Sequence, residues 1–266
     1  MGPSIHIRSV SHNYENASGT PLRVLNDIQF DICGGSLTAI LGPSGCGKTT
    51  LLNIVAGFLM ASNGEIGWGD SQTNGVRPTG AALSYVFQDA SLLPWRTAYQ
   101  NVGLPLELSG TPAEERNQRI LSALDRVKLE GFAAAFPDEL SGGMRSRVAL
   151  AQSLVSSPEV LLLDEPFGAL DEPTAIDVSE RLSLLLHYQE STVIMVTHSI
   201  LQALLLADTI VILSKRPAVV ATVIPIPIPK PRSAAIFESG VGASLFQKIR
   251  RELMGVDELQ VIQNQG

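Results

Sequence analysis

Gly42, Gly47, Lys48 and Thr49 fall at the spacing G-x-x-x-x-G-K-[ST] within the stretch ILGPSGCGKTTLL. Glycines let backbone N–H groups wrap a polyphosphate, and the lysine adds one fixed positive charge that reaches the outer phosphates. Pro43, Ser44, Gly45 and Cys46 complete the loop, and Thr50 doubles the threonine that follows the lysine. The implied ligand is a nucleoside triphosphate.

A pair of acids offers the next piece of chemistry. Asp164 and Glu165 end the apolar run of LLLDEP, where a metal-bound triphosphate would sit. Asp164 suits the orientation of Mg²⁺, directly or through water, alongside Thr49. Glu165 is then free to polarise an attacking water, a role worth on the order of 10²–10⁴ in rate. His198 follows Glu165 by 33 residues, just past another apolar run. That interval is what one helix-and-strand unit takes up, so a ring nitrogen there can reach a γ-phosphate. LSGGMRSR, from Leu140 to Arg147, sets Ser141, Gly142 and Gly143 at the start of a further helix. The chain thus carries a second anion-seeking helix terminus, and one triphosphate cannot easily sit on both within a monomer.

These groups need a frame to hold them. SLTAILG before the loop is an apolar, β-leaning run, and TTLLNIVAGFL after it sets Leu51, Leu52, Ile54, Val55 and Leu59 at helical spacings. Strand, glycine loop and helix in that order point a helix N-terminus at bound phosphate. Upstream, SIHIRSVSHNY and VLNDIQFDI alternate like antiparallel strands, and GEIGWGD and ALSYVFQ read as short strands downstream.

From about residue 91 to 157 the texture turns helical. TPAEERNQRILSALDRVKL offers Thr111 as N-cap, Pro112 in the first turn and Glu114 as the capping-box partner, with Ile120, Leu121, Leu124 and Val127 as an apolar stripe. Val160 to Leu163 and Thr192 to Thr197 then read as parallel strands, with the helical AIDVSERLSLLLHYQ between them. The expected fold class is α/β: a P-loop NTPase core with a mixed sheet, an antiparallel β subdomain and an inserted helical subdomain. One domain is expected over residues 1–230, with an extension over 231–266. The tail from Arg216 holds the proline repeat IPIPIPKPR, an edge strand or extended linker, and then an amphipathic helix over about 243–253 with Arg250 and Arg251.

Composition bounds the function classes. A chain of 266 residues, 45% apolar, can bury a real core, and its formal charge of −7 points away from a nucleic-acid surface. Two cysteines, Cys33 and Cys46, are too few for a disulfide framework or a four-cysteine metal site, and Cys46 reads as a small loop filler. The long apolar stretch from Thr192 to Ser214 is interrupted by His198, Ser199, Gln202 and Asp208, so it parses as strand, turn, helix and strand rather than a membrane span. Met1 to Val10 is too polar for a secretory signal.

In this order the motifs resemble the ATPase subunits of ABC transporters. The resemblance covers roughly residues 5–224: Walker A from Gly42 to Thr49, the Q-loop glutamine as Gln88 in VFQD, the signature motif from Leu140 to Met144, Walker B from Val160 to Asp164, Glu165, the D-loop GALD ending at Asp171, and the switch histidine His198. It implies ATP and Mg²⁺ as ligands, with Gln88 near the γ-phosphate and the metal. It also implies a head-to-tail homodimer that sandwiches two ATP molecules. Each would lie between one subunit's Walker A and the other's Ser141, Gly142, Gly143 and Asp171. Tyr14 matches the family's adenine-stacking aromatic. The partners implied are integral-membrane permease subunits and, through them, a periplasmic or lipid-anchored solute-binding protein, with no nucleic acid. The location implied is peripheral, on the cytoplasmic face of the inner membrane.

A finer resemblance lies in LLPWRT, which follows the Q-loop as in the importer ATPases of the nitrate, taurine and aliphatic sulfonate class. It implies a small anion or organosulfur solute, with Trp95 and Arg96 near the permease. The chain departs from the family's commoner residues at Met144, Ser146, Gln152, Ala175 and Ser199, none of them a phosphate, metal or base ligand. Ser199 is similar to relatives that carry pyrimidine precursors of thiamine. An importer of such pyrimidines and a soluble, non-transport ABC ATPase are the alternative readings. A P-loop small-molecule kinase has no use for the signature serine and glycines.

Overall fold

The structure, a computed structural model, describes residues 1–15, 21–69, 82–238 and 240–263, with the backbone alone for residues 187–189 and 257–263. Alternating apolar residues make two long strands at the start, β1 (Ile5–Glu15) and β2 (Pro21–Ile32), which pair antiparallel. β3 (Leu37–Leu41) is buried at every position and leads through the phosphate loop into α1 (Lys48–Ala56). β4 (Asn63–Trp68) returns antiparallel to β1, so the first sheet has the order β2-β1-β4. β5 (Leu83–Val86) starts at the edge of a second sheet.

Helices α2 (Ala98–Leu108), α3 (Ala113–Arg126) and α4 (Gly142–Leu154) follow, packed through Val102, Leu106, Ile120, Leu124 and Leu150. Two details differ from the expectation. Thr111 does not cap α3: Pro112 takes the cap position, and the Thr111 N–H instead closes α2 by donating to Leu106 O at 3.0 Å. The capping box belongs to α2, where Thr97 accepts from the Gln100 backbone N–H and Gln100 accepts in return. Leu121 is 45% exposed, because it lies about 100° round the helix from the buried Ile120.

The second sheet is completed by β6 (Val160–Asp164), α5 (Glu172–Gln189), β7 (Thr192–Val196), α6 (Ile200–Leu206), β8 (Thr209–Leu213) and β9 (Val220–Pro225). Its order is β5-β6-β7-β3-β8-β9, all parallel except β9, which runs antiparallel to β8 at the edge. Both faces of its central strands are covered, which is why they read as unbroken apolar runs. Side chains still alternate: Leu161, Leu163, Val193 and Met195 join the helical core, while Val160, Leu162, Ile194 and Val196 join the core shared with the antiparallel sheet. The stretch from Thr192 to Ser214 is therefore strand, turn, helix and strand, and among the described residues no helix is long and apolar enough to cross a membrane.

Ile224 near the end of β9 and Ile226 just beyond it are buried, and the chain then runs on to α7 (Gly240–Gln263). This helix is longer than the expected 243–253. Gly255 inside it costs about 1 kcal/mol relative to alanine, and burial of Val256 offsets that cost. Arg232, 5% exposed, ties the segment down by donating to the carbonyls of Leu204, Ala207, Ile226 and Ile228.

Candidate nucleotide site

The loop between β3 and α1 is shaped by close packing on β2. Gly47 caps α1 at φ 116°, and a Cβ there would stand 2.7 Å from Val24 Cγ1 and 2.9 Å from Leu25 Cδ2. Only glycine fits both the conformation and the contact. Lys48 is buried, and its ammonium donates to the carbonyls of Gly42 at 2.8 Å and Pro43 at 3.0 Å. The charge is thus held across the loop by acceptors that the oxygens of an anion can replace.

Parallel pairing brings the ends of β6 and β7 beside this loop. Thr49 Oγ1 donates to Asp164 Oδ1 at 3.1 Å. Burial pushes the Asp164 carboxyl up, the Thr49 bond opposes that, and the neighbouring Glu165 charge adds to it. Tyr85, which donates to Asn53 Oδ1 at 3.0 Å, has its phenol raised by burial and by the Asp164 charge. Glu165 sits at φ 47°, a conformation non-glycine residues rarely adopt, and its N–H donates to Val196 O at 2.9 Å. That turn brings Glu165 Oε2 to 2.9 Å from His198 Nδ1. The Glu165 side chain is only 15% exposed, whereas the histidine ring is 70% exposed.

A cavity of about 330 Å³ opens over the loop, lined by Tyr14, Ser44, Lys48, Thr50, Gln88 and Glu165 among others. Tyr14 is fixed there by a 3.2 Å bond between its hydroxyl and Thr50 Oγ1 and by the His12 ring packed edge-on at 4.7 Å. Arg216, from the turn after β8, also lines the cavity. Reading the sequence missed it, because no fixed spacing links that turn to the loop.

Several expected residues lie elsewhere. Cys46 is 2% exposed, and burial raises its thiol pKa. Ser141 caps α4, its Oγ accepting from Met144 N at 3.2 Å. Asp171 caps α5, accepting from Thr174 N at 3.2 Å, and the Thr174 hydroxyl together with this N–H holds its carboxyl low. Gly142 and Gly143 pack against Ala169 and Leu170, so the signature and the D-loop touch each other. None of Ser141, Gly142, Gly143 or Asp171 lines the cavity.

A family model described as ABC transporter matches residues 25–168. The chain belongs to the ABC transporter family. Among curated relatives of this ABC protein, the taurine import ATP-binding protein TauB of Rhizobium johnstonii is 44% identical over 199 residues, 75% of each chain. An uncharacterized ABC transporter ATP-binding protein of Methanocaldococcus jannaschii is 35% identical over 247 residues, 93% of this chain and 89% of that one. Among solved structures, the dimeric ATP-binding cassette MJ0796 in a post-hydrolysis state bound to ADP and Pi aligns with a TM-score of 0.75 and 30% identity. It covers 85% of this chain and 100% of that one. The fold is that of the ABC cassette, and the enzymatic activity is that of an ABC-type ATPase.

The cassette's own donors fit a magnesium ion brought by its nucleotide. Thr49 and Asp164 place one hydroxyl and one carboxylate side by side beneath the glycine cradle. That sparse set is what Mg²⁺ takes when phosphates and waters fill its remaining positions. Among the described residues there is no cluster of three His, Cys, Asp or Glu side chains able to cage an ion alone.

Proposed function

We propose that this cassette is the energy-coupling ATPase of an importer for a small organosulfur anion of the taurine and sulfonate type. The observation that carries the reading is that Lys48, Thr49 and Glu165 line one cavity, with Asp164 bonded to Thr49 and His198 to Glu165. The solute class is supported by the relatives named as taurine import proteins, several of them 35–44% identical.

In this reading the adenine stacks on Tyr14, and the N–H groups of Gly42 to Thr50 cradle the phosphates. Lys48 exchanges its two loop carbonyls for phosphate oxygens. Thr49 and Asp164, with Gln88 at the rim, would hold the Mg²⁺ that comes with the nucleotide, whose charge would offset that of the phosphates. Glu165 polarises the attacking water and accepts its proton. His198 orients that carboxylate and presents its exposed ring edge toward the γ-phosphate.

The signature residues Ser141, Gly142 and Gly143, together with Asp171, serve the cavity of a second copy. Nucleotide then favours the closed homodimer, and loss of the γ-phosphate releases it. The permease docks on the face beside Gln88, where an apolar groove of about 500 Å³ is lined by Phe87, Leu104, Pro105 and Leu108. Leu108 is 80% exposed and Trp95, at the entry to α2, is 71% exposed, which supports a covering partner over a core role for the tryptophan. The cassette then works on the cytoplasmic face of the membrane, joined through the permease to a solute-binding protein.

The test is a pull-down from bacterial membranes with tagged Glu165→Gln chain and Mg-ATP. A hydrophobic permease should co-purify, while hydrolysis by the isolated complex falls about 10²–10⁴-fold. Recovery of ribosomal or DNA-repair proteins alone would overturn the transport reading, and hydrolysis at the native rate would remove Glu165 from its role.

A further inference from the structure

We propose that Arg216 is a second cationic contact for the phosphate chain of the nucleotide, reaching it from the turn between β8 and β9. The inference rests on the nucleotide reading above and adds a ligand that lies outside every motif of the phosphate loop.

The turn that carries Arg216 is pinned at several points. Ser214 N donates to Val219 O at 3.0 Å, and Val219 N donates back to Ser214 Oγ at 3.0 Å. The fully buried Ala218 donates to Val24 O at 2.9 Å and accepts from Asn26 N at 2.9 Å. Val24 is the same residue that walls Gly47, so one stretch of β2 registers both the phosphate loop and the turn. Placement of the arginine is therefore coupled to the shape of the loop.

The side chain points at the loop. Arg216 is exposed at its own surface and lines the cavity, and its Nη2 lies 3.3 Å from where a Cβ on Gly45 would stand. Its charge is also felt at the Cys46 thiol in the loop. Among the described residues, Lys48 and Arg216 are the two cationic residues in the cavity lining. Their chemistry differs: the lysine is a buried point charge, whereas the guanidinium is a planar fork suited to two phosphate oxygens at once. In a chain of formal charge −7, a cation at the mouth also draws an anionic nucleotide in.

Titration of the purified full-length chain with fluorescent ATP and ADP tests this, using Arg216→Ala, Arg216→Gln and Arg216→Lys beside Lys48→Ala. The alanine and glutamine variants should each lose about tenfold in affinity for both nucleotides, and the lysine variant, which keeps the charge but not the fork, should fall between them and the native chain. Native affinity in both uncharged variants, with affinity lost in Lys48→Ala, overturns the role of Arg216 and leaves the nucleotide reading intact. Native affinity in Lys48→Ala overturns the nucleotide reading itself. A measurement free of any folding defect uses the unmutated protein: Mg-ATP should slow modification of Arg216 by phenylglyoxal several-fold, read by peptide mass spectrometry. An unchanged rate overturns the proposal.

Discussion

Cys46 lies within the phosphate loop, yet its thiol belongs to the core between the two sheets and burial keeps it protonated. Cys33, by contrast, is exposed. A thiol-specific disulfide reagent at neutral pH should therefore titrate one fast group in the native chain and the second only after denaturation. Two fast thiols would mean that the loop opens readily. At this scale the local motif was legible because its chemistry is contiguous: six consecutive backbone groups and Lys48 need no tertiary knowledge to be recognised. The approach of His198 to Glu165 followed from an acid pair ending one apolar run, a histidine just past another, and the 33-residue interval between them. Arg216 was not, because what brings it to Gly45 is the pinning of its turn on β2, which no local pattern announces.

The short elements around the site show where local signals compete. Thr111 and Thr97 both precede a glutamate or glutamine three residues on, but only Thr97 caps, because the backbone of Thr111 is already committed to ending α2. Periodicity located α3 but put its cap one residue early, at Thr111 rather than Pro112, and counted the exposed Leu121 in the buried stripe. At the start of α4 the close contact is with the D-loop: a Cβ on Gly143 would meet Leu170 Cδ2 at 2.8 Å and Ala169 O at 3.2 Å. The leucine tip can swing away, but the carbonyl must shift by a few tenths of an ångström. Gly143→Ala should consequently melt within a few degrees of the native chain, since a helix-propensity gain of about 1 kcal/mol offsets much of the strain. Its ATP-driven dimer, measured by size exclusion in a Glu165→Gln background, should be depleted several-fold. Undiminished dimer would show that the contact between signature and D-loop leaves pairing unaffected.

Across the whole molecule, the apolar runs revealed which segments are central strands, and the strand order had to come from the structure. Nothing local states that β3 lies between β7 and β8, whereas the proline repeat, read as an edge strand or extended linker, supplies the end of edge strand β9 and then an extended strap. The strap depends on Arg232, whose guanidinium answers four carbonyls at the end of α6 and along the extended tail. Arg232→Met removes those donors at once, and about 3 kcal/mol of stability should go with them, seen as a lower denaturant midpoint. Limited proteolysis should then cut ahead of α7 first, whereas a native midpoint and native cutting would mean that apolar packing of α7 suffices.

The position of β3 also has a meaning in time. Its neighbours in the sheet are residues 192–196 and 209–213, so the strand that launches the phosphate loop leaves the ribosome long before either flank exists. At roughly 5–20 residues per second, that wait is on the order of ten seconds or more. The antiparallel pair β1–β2 can close on its own in the meantime, and it shelters the loop's glycine face early. A nascent chain arrested before β8 should thus hold a folded hairpin and no nucleotide, which makes the capacity to bind ATP one of the last properties this polypeptide acquires during its synthesis.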